Sequence, residues 1–325
     1  MDNPFSRRTF LKLGALSSAS FVATRNLSGM NRPFTFISQD QEEAHHFRVG
    51  DLECYCINDG GLDYDIELFF RNVPREQVER VLTEHELPIG SIYTPYTHLI
   101  VMDGERLILV DMGAGKALPN NGKLPVTMAS IGIEPSEIDT VIITHAHPDH
   151  IGGTLNDEGK PIYNNARYYM WRGEWDFWFS DMAFEKTNEF FTNTAREQLS
   201  PIKDRIDLLE EESEILPGVN IIEAPGHTPG HIVVSFSSRG EHLYYTADTV
   251  LYPLHLEYPD WLSVYDILPD EAEASKRKVF DLVARENALV IGQHFVPFPS
   301  LGHVVKKGNG WLFQPIEEQE SDVTP

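Results

Sequence analysis

The chain has 325 residues, 41% hydrophobic and 11% aromatic, enough for one large domain or two fused halves around a sizeable core. Fifty acidic residues against 26 basic give a formal net charge of -24. A field of that sign repels phosphate backbones and anionic membrane surfaces, so nucleic acid is not an expected partner.

The chain opens with Ser6-Arg7-Arg8-Thr9-Phe10-Leu11-Lys12, followed by a weakly apolar run from Leu13 to Ala23. Paired arginines ahead of such a run resemble a twin-arginine export signal. Residues 1–29 are therefore expected to be a leader read by the twin-arginine translocase, with the mature chain periplasmic or secreted. The run is too short for a membrane span.

Residues 30–46 are polar and irregular and read as a linker. Strand-like text begins at Phe47 and runs through Leu52–Ile57 to the turn Asp59-Gly60-Gly61. Cys54 and Cys56, two apart in a strand, share a face, and bridging them would strain the backbone. They read as buried strand residues. Pro74 opens a predicted helix that ends near residue 86. Two apolar runs, His98–Met102 and Arg106–Val110, flank Asp103-Gly104-Glu105 and predict a hairpin. A helix is expected over 124–133, ending at Gly132, then a buried strand from Thr140 to Thr144. Residues 166–170 read as a strand and 171–181 as an aromatic helix or loop. Residues 185–213 read as a long charged helical segment, a candidate lid. Strands follow at Val219–Glu223, His231–Ser237 and Leu243–Thr246, then a helix over 270–286 and a last short strand, Ala288–Gly292. Residues 314–325 form an acidic tail. Strands and helices alternate in both halves, which predicts an α/β protein of two packed mixed sheets with helices outside.

The strand from Thr140 runs into Thr144-His145-Ala146-His147-Pro148-Asp149-His150. Imidazole nitrogen and carboxylate oxygen suit zinc and similar divalent ions. In an extended segment His145 and His147 face one side and can grip one ion. Asp149 and His150 lie past the bend at Pro148 and can face a second. Gly152 and Gly153 allow tight packing at the helix that follows. A polar loop with scattered histidines is the plainer alternative, and four ligand-type side chains so close together weigh against it.

The run Thr144–Gly153 matches the H-x-H-x-D-H signature and resembles the metallo-β-lactamase superfamily. The resemblance covers roughly residues 47–313. It implies an αβ/βα four-layer sandwich of two mixed β-sheets flanked by helices. It also implies further ligands at strand ends, where a lone residue would more often be structural. His227 stands in Gly226-His227-Thr228-Pro229-Gly230-His231, Asp248 in Tyr245-Thr246-Ala247-Asp248-Thr249, and His294 in Gly292-Gln293-His294. The implied assignment is His145, His147 and His227 on one ion, and Asp149, His150 and His294 on the other, with Asp248 shared. Asp111, His231 and His303 match supporting positions that orient ligands or loops. The implied cofactor is a pair of divalent ions, zinc first, with manganese, cobalt or iron as alternatives. A hydroxide bridging them would be the nucleophile, with Asp149 and Asp248 as the catalytic carboxylates.

Gln293–Val304 resembles the H-x-x-F-P-x-x-G-H segment of the methyl parathion hydrolase branch, with one extra residue. The related acyl-homoserine lactonases carry a tyrosine three residues after the bridging aspartate. Here that position is Leu251, and Tyr252 follows it. Trp171, Trp175, Phe177, Trp178, Phe179, Phe295 and Phe298 read first as core rings and secondly as an aromatic pocket wall. The expected substrate is a small neutral hydrophobic ester, a lactone or an organophosphate triester, and a homodimer is an open expectation. A β-lactamase is a competing reading, against which stands Asp248 where such enzymes usually have cysteine. A di-iron redox protein is another, although no flavin domain is visible.

Overall fold

The computed structural model describes residues 43–316. The expected leader, residues 30–42 of the expected linker and residues 317–325 of the tail lie outside that range.

Two seven-stranded sheets form the centre. The first holds, in spatial and chain order, β1 (Ala44–Val49), β2 (Leu52–Asp65), β3 (Ser91–Asp103), β4 (Arg106–Val110), β5 (Thr140–Ile143), β6 (Arg167–Trp171) and β7 (Ile206–Leu209). The second holds β8 (Glu214–Leu216), β9 (Val219–Glu223), β10 (Ile232–Ser238), β11 (Glu241–Ala247), β12 (Leu289–Gly292), β13 (Leu301–Lys307) and β14 (Gly310–Pro315). Both are mixed: β4 through β7 pair in parallel in the first, and β11 with β12 in the second. The helices are α1 (Ile66–Phe69), α2 (Arg75–Glu84), α3 (Leu124–Ser130), α4 (Pro148–Ile151), α5 (Arg172–Trp178), α6 (Met182–Lys186), α7 (Glu189–Leu199), α8 (Leu254–Glu257) and α9 (Pro269–Glu286).

Alternation along the strands explains the layering. In β3, Leu99 and Val101 point one way, and Ile100 and Met102 the other. A strand apolar on both faces must be covered on both. The inner face joins Cys54, Cys56 and Val110 to Val234, Tyr245 and Ile291 of the second sheet. The outer face packs with Met128 of α3, Trp178 of α5 and Leu199 of α7. The second sheet repeats the scheme: Val233 and Val290 turn outward onto Val279, Phe280 and Val283 of α9. The result is a helix–sheet–sheet–helix sandwich. Cys54 and Cys56 are buried and unbridged. Among the described residues no helix is long and apolar enough to cross a membrane.

Three expectations are corrected. The stretch read as linker already contains the start of β1, where Ala44 pairs with Ile57. Residues 185–213 are not one helix. Asn188 caps α7, a 3-10 turn follows over Ser200–Arg205, and Ile206 and Leu208 then enter the sheet as β7 beside β6. Ala288–Gly292 is not the last strand, since the hairpin of β13 and β14 follows and reaches Pro315. Its alternation is broken by Lys306 and Lys307, exposed at the end of β13 next to the turn into β14.

Candidate metal centre

The candidate ligands collect at the C-terminal ends of the parallel strand pairs, one pair from each sheet. β5 is buried throughout and releases Thr144 to His147 in extended form. Pro148 then starts α4 with His147 as its N-cap, so the chain bends between His147 and Asp149. Asp111 follows β4 and adopts a left-handed φ of 60°, which aims its carboxylate back across the strand ends. It accepts from the Thr144 backbone N–H at 2.8 Å, the Thr144 hydroxyl at 2.7 Å and His150 Nδ1 at 2.7 Å. Ala247, just before Asp248, is also left-handed, with φ 43°. Such backbone strain persists where the surroundings over-determine it, and both instances flank this cluster.

Seven side chains form two groups whose candidate ligand atoms lie within 4.8 Å of one another. One is His145, His147, His227 and Asp248; the other is Asp149, His150, Asp248 and His294. Asp248 stands in both: its Oδ2 lies 3.2 Å from His227 Nε2 and 3.3 Å from His294 Nε2, and its Oδ1 lies 3.3 Å from His150 Nε2. Several rings are anchored from behind. His150 Nδ1 donates to Asp111, His294 Nδ1 to the Pro95 carbonyl at 3.0 Å, and His227 Nδ1 to Asp266 at 3.4 Å. Fixing the outer nitrogen fixes the tautomer and turns the inner one toward the centre. His231 accepts from the Asp248 backbone N–H at 3.1 Å and so holds that loop.

The electrostatics favour a cation. Asp111, Asp149 and Asp248 are enclosed together. Burial pushes His145 and His147 well below the usual histidine range, and neighbouring imidazoles add to this. Burial also opposes charge on His227 and His294, yet the carboxylates beside them raise each to about 9. Asp149 is held down to about 2 by His150 and His294, against the effect of burial. The negative side chains thus recruit positive charge. His145 Nε2, His150 Nε2 and Asp248 Oδ1 are buried with no hydrogen-bond partner among the described residues. His147 Nδ1 lies 2.8 Å from His227 Nε2, a spacing of two ring nitrogens that calls for a shared proton or ion. Orphaned buried polar atoms cost about 1–3 kcal/mol each. Two divalent cations would remove that cost, so the donor set fits them.

A cavity of about 390 Å³, its open mouth included, stands over the two groups. Its apolar wall is Tyr64, Phe69, Leu118, Phe191, Leu251 and Tyr265. No lysine or arginine lines it among the described residues. The tryptophan-rich stretch does not line it either: Phe177 and Trp178 lie in the core, and Phe295 packs on Phe313. Trp178 stands behind the ring of His147, 5.6 Å away. Leu251 faces the cavity, and Tyr252 is buried among Phe70 and Trp261.

Residues 93–294 match the sequence profile of the Metallo-beta-lactamase superfamily. The chain belongs to that superfamily. It is 26% identical over 120 residues to an N-acyl homoserine lactonase of Bacillus sp, covering 36% of this chain and 41% of the relative. It is 24% identical over 166 residues to an N-acyl homoserine lactonase of Bacillus thuringiensis, covering 50% of this chain and 58% of the relative. The chain thus spans about half the length of these curated relatives. Among solved structures it resembles AidC, a dizinc quorum-quenching lactonase in complex with a product, at TM-score 0.80 and 26% identity over 85% of this chain and 98% of that one. It also resembles the hydrolase AbOPH of the beta lactamase superfamily, at TM-score 0.80 and 26% identity over 87% and 100%.

Within this superfamily fold, some supports are invisible to motif reading. Glu174 on α5 is fully buried, and four donors reach its carboxylate. They are the Ala146 N–H at 2.9 Å, Trp178 Nε1 at 2.6 Å, the Thr228 hydroxyl at 2.6 Å and the Gly230 N–H at 3.0 Å. It therefore clasps the His145–His147 loop of one half to the His227–His231 loop of the other. Gly230 permits this: a Cβ there would stand 2.1 Å from the Glu174 backbone nitrogen. The only signal was a pair of acids, Glu174 and Asp176, among the aromatics of Arg172–Phe179, with nothing to distinguish the buried one. Asp266 gave no signal at all; it meets His227, and the buried Lys276 and the Ser263 N–H hold it charged. His303 does not join the site. It sits on β13 opposite Leu289, at the far end of β12 from His294, and its Nδ1 donates to the Ala288 carbonyl at 3.1 Å. A histidine near a Gly-His motif has no register until the strand pairing is known.

Proposed function

We propose that this protein is a two-metal hydrolase of small, neutral, hydrophobic esters, with lactones foremost. The observation that carries the reading is an aromatic and aliphatic cavity wall, without lysine or arginine among the described residues, set over two adjoining His/Asp groups. An uncharged ester can enter such a cavity without desolvating a charge, whereas the charged end of an anionic substrate would find no lysine or arginine on the wall to pair with. The likeness to named N-acyl homoserine lactonases supports this substrate class.

His145, His147 and His227 would hold one ion, Asp149, His150 and His294 the other, and Asp248 both. The nitrogen and oxygen donors favour zinc, with manganese, cobalt or iron as alternatives. Bound ions would supply a water acidic enough to attack near neutral pH and would draw charge from the ester oxygen. Asp149 is the most open of the seven, its side chain 13% exposed while the other residues are at 5% or less. It can therefore take a proton from a group in the cavity. The apolar wall excludes water and strengthens these interactions.

A panel of γ-lactones, N-acyl homoserine lactones, aryl esters and a phosphotriester, run on protein of measured metal content, tests the reading. Metal-dependent turnover of a lactone or ester, lost in His147→Ala, is expected. Absence of turnover across the panel overturns it. Turnover of the phosphotriester alone would move the substrate class to organophosphates. We further propose export by the twin-arginine route. A reporter fused behind residues 1–29 should leave the cytoplasm and stay behind when Arg7 and Arg8 become lysine.

A further inference from the structure

Beyond the candidate ligands, the cavity wall carries two protic side chains, Tyr64 and Tyr265. Tyr64 comes from the end of β2 and is half-buried. Its hydroxyl lies 2.5 Å from the hydroxyl of Tyr96 on β3. Tyr96 is completely buried, and its ring stands edge-on to that of His294 at 5.3 Å. Two hydroxyls joined by one hydrogen bond own two protons, and only one lies between them. If Tyr64 donated, the Tyr96 proton would be left inside the protein, where the hydroxyl of Tyr64 is the one hydrogen-bond partner found for it among the described residues. That costs about 1–3 kcal/mol. If Tyr96 donates, the Tyr64 proton turns toward the cavity, where a bound molecule can accept it. A tyrosine hydroxyl ordinarily loses its proton only near pH 10, so both carry their protons at neutral pH. The Tyr64 ring packs in a cluster with Phe69, 5.0 Å away, and Tyr265, 6.3 Å away, which also touch each other.

We propose that Tyr64 is a catalytic residue whose hydroxyl, oriented by Tyr96, gives its proton to the leaving oxygen of the ester. This rests on the hydrolase reading above. The acyl–oxygen bond breaks, the leaving oxygen keeps the bonding pair, and the Tyr64 proton completes the alcohol. Water has meanwhile placed its hydroxyl on the acyl carbon and handed its other proton to Asp149. That proton returns to the Tyr64 phenolate, and the net change is consumption of one water. Tyr96 is a positioning residue: it fixes which way the Tyr64 proton points.

The test compares leaving groups of different basicity on the metal-loaded protein: 4-nitrophenyl butyrate, phenyl butyrate and γ-nonalactone. A nitrophenolate needs no proton to depart, and an alkoxide does. Tyr64→Phe should lower kcat on the lactone by about 100-fold, the contribution of a placed general acid, and barely change it on the nitrophenyl ester. Tyr96→Phe should show the same gradient, roughly tenfold on the lactone, because the donor loses its orientation. Metal content and melting temperature should match wild type in both. Equal losses on all three substrates, or none, overturn the assignment. A gradient in Tyr265→Phe that is missing in Tyr64→Phe overturns it too. Should Tyr64→Phe lose metal or melt early, Tyr96→Phe decides, since Tyr96 does not line the cavity. If wild type turns over none of the three, the hydrolase reading falls, and this assignment with it.

Discussion

Asp248 touches both halves of the candidate centre, and its neighbours show how individual residues are held. The ring nitrogens of His150, His227 and His294 that face away from the cavity are occupied by Asp111, Asp266 and the Pro95 carbonyl. These partners should matter nearly as much as the ligands. Asp266→Asn weakens the charge behind His227 while keeping its shape. It should lower metal affinity about 10–100-fold, read by competition against a chromophoric chelator. The raised values of His227 and His294 give a pH prediction with a definite sign. In metal-free protein each binds its proton more tightly folded than unfolded. Their contribution is therefore complete below about 6.5 and is lost as pH rises toward about 9. Metal binding must displace those protons, so apparent affinity should rise over the same interval. Melting of the metal-free protein and metal titrations between these limits check both trends. A melting point of the metal-free protein that climbs with pH would contradict the first.

At the level of elements, the centre depends on loops from two sheets meeting in one register. α5 supplies the clasp: Glu174 satisfies donors from the loop after β5 and the loop after β9 at once. Glu174→Ala strands those buried donors. It should cost about 3 kcal/mol in denaturant unfolding of the metal-free protein, with metal affinity falling in parallel. Gly230→Ala should reproduce the loss of affinity, since its methyl group would collide with the α5 backbone. On the opposite side, Gly226 at φ 142° lets the His227 loop rest on Ala272 of α9. The helix thereby fixes the height of His227 above the sheet, and its buried Lys276 balances Asp266.

For the whole molecule, a chain of net charge -24 carries a cavity whose wall has no lysine or arginine among the described residues. An ester carrying a carboxylate should react with a kcat/KM about tenfold below that of its neutral methyl ester, and added salt should narrow the gap by screening. An unchanged ratio across ionic strength would show that the surface charge plays no part. Much of this molecule was legible before folding was considered. The H-x-H-x-D-H run and the strand-like runs between Phe47 and Val110 depend on neighbours a few residues apart, and local spacing records them directly; His227, Asp248 and His294, each a lone residue in the sequence, follow only from the family resemblance that this run carries. Three-dimensional packing settled the rest. The cavity wall draws Tyr64, Leu118, Phe191, Leu251 and Tyr265 from five separate segments. Glu174 and Asp266 become supports only because distant loops close around them, and His303 leaves the site because β13 pairs at the far end of β12. Such choices follow from long-range contacts, whose partners lie tens to hundreds of residues away and leave no periodic trace in the chain.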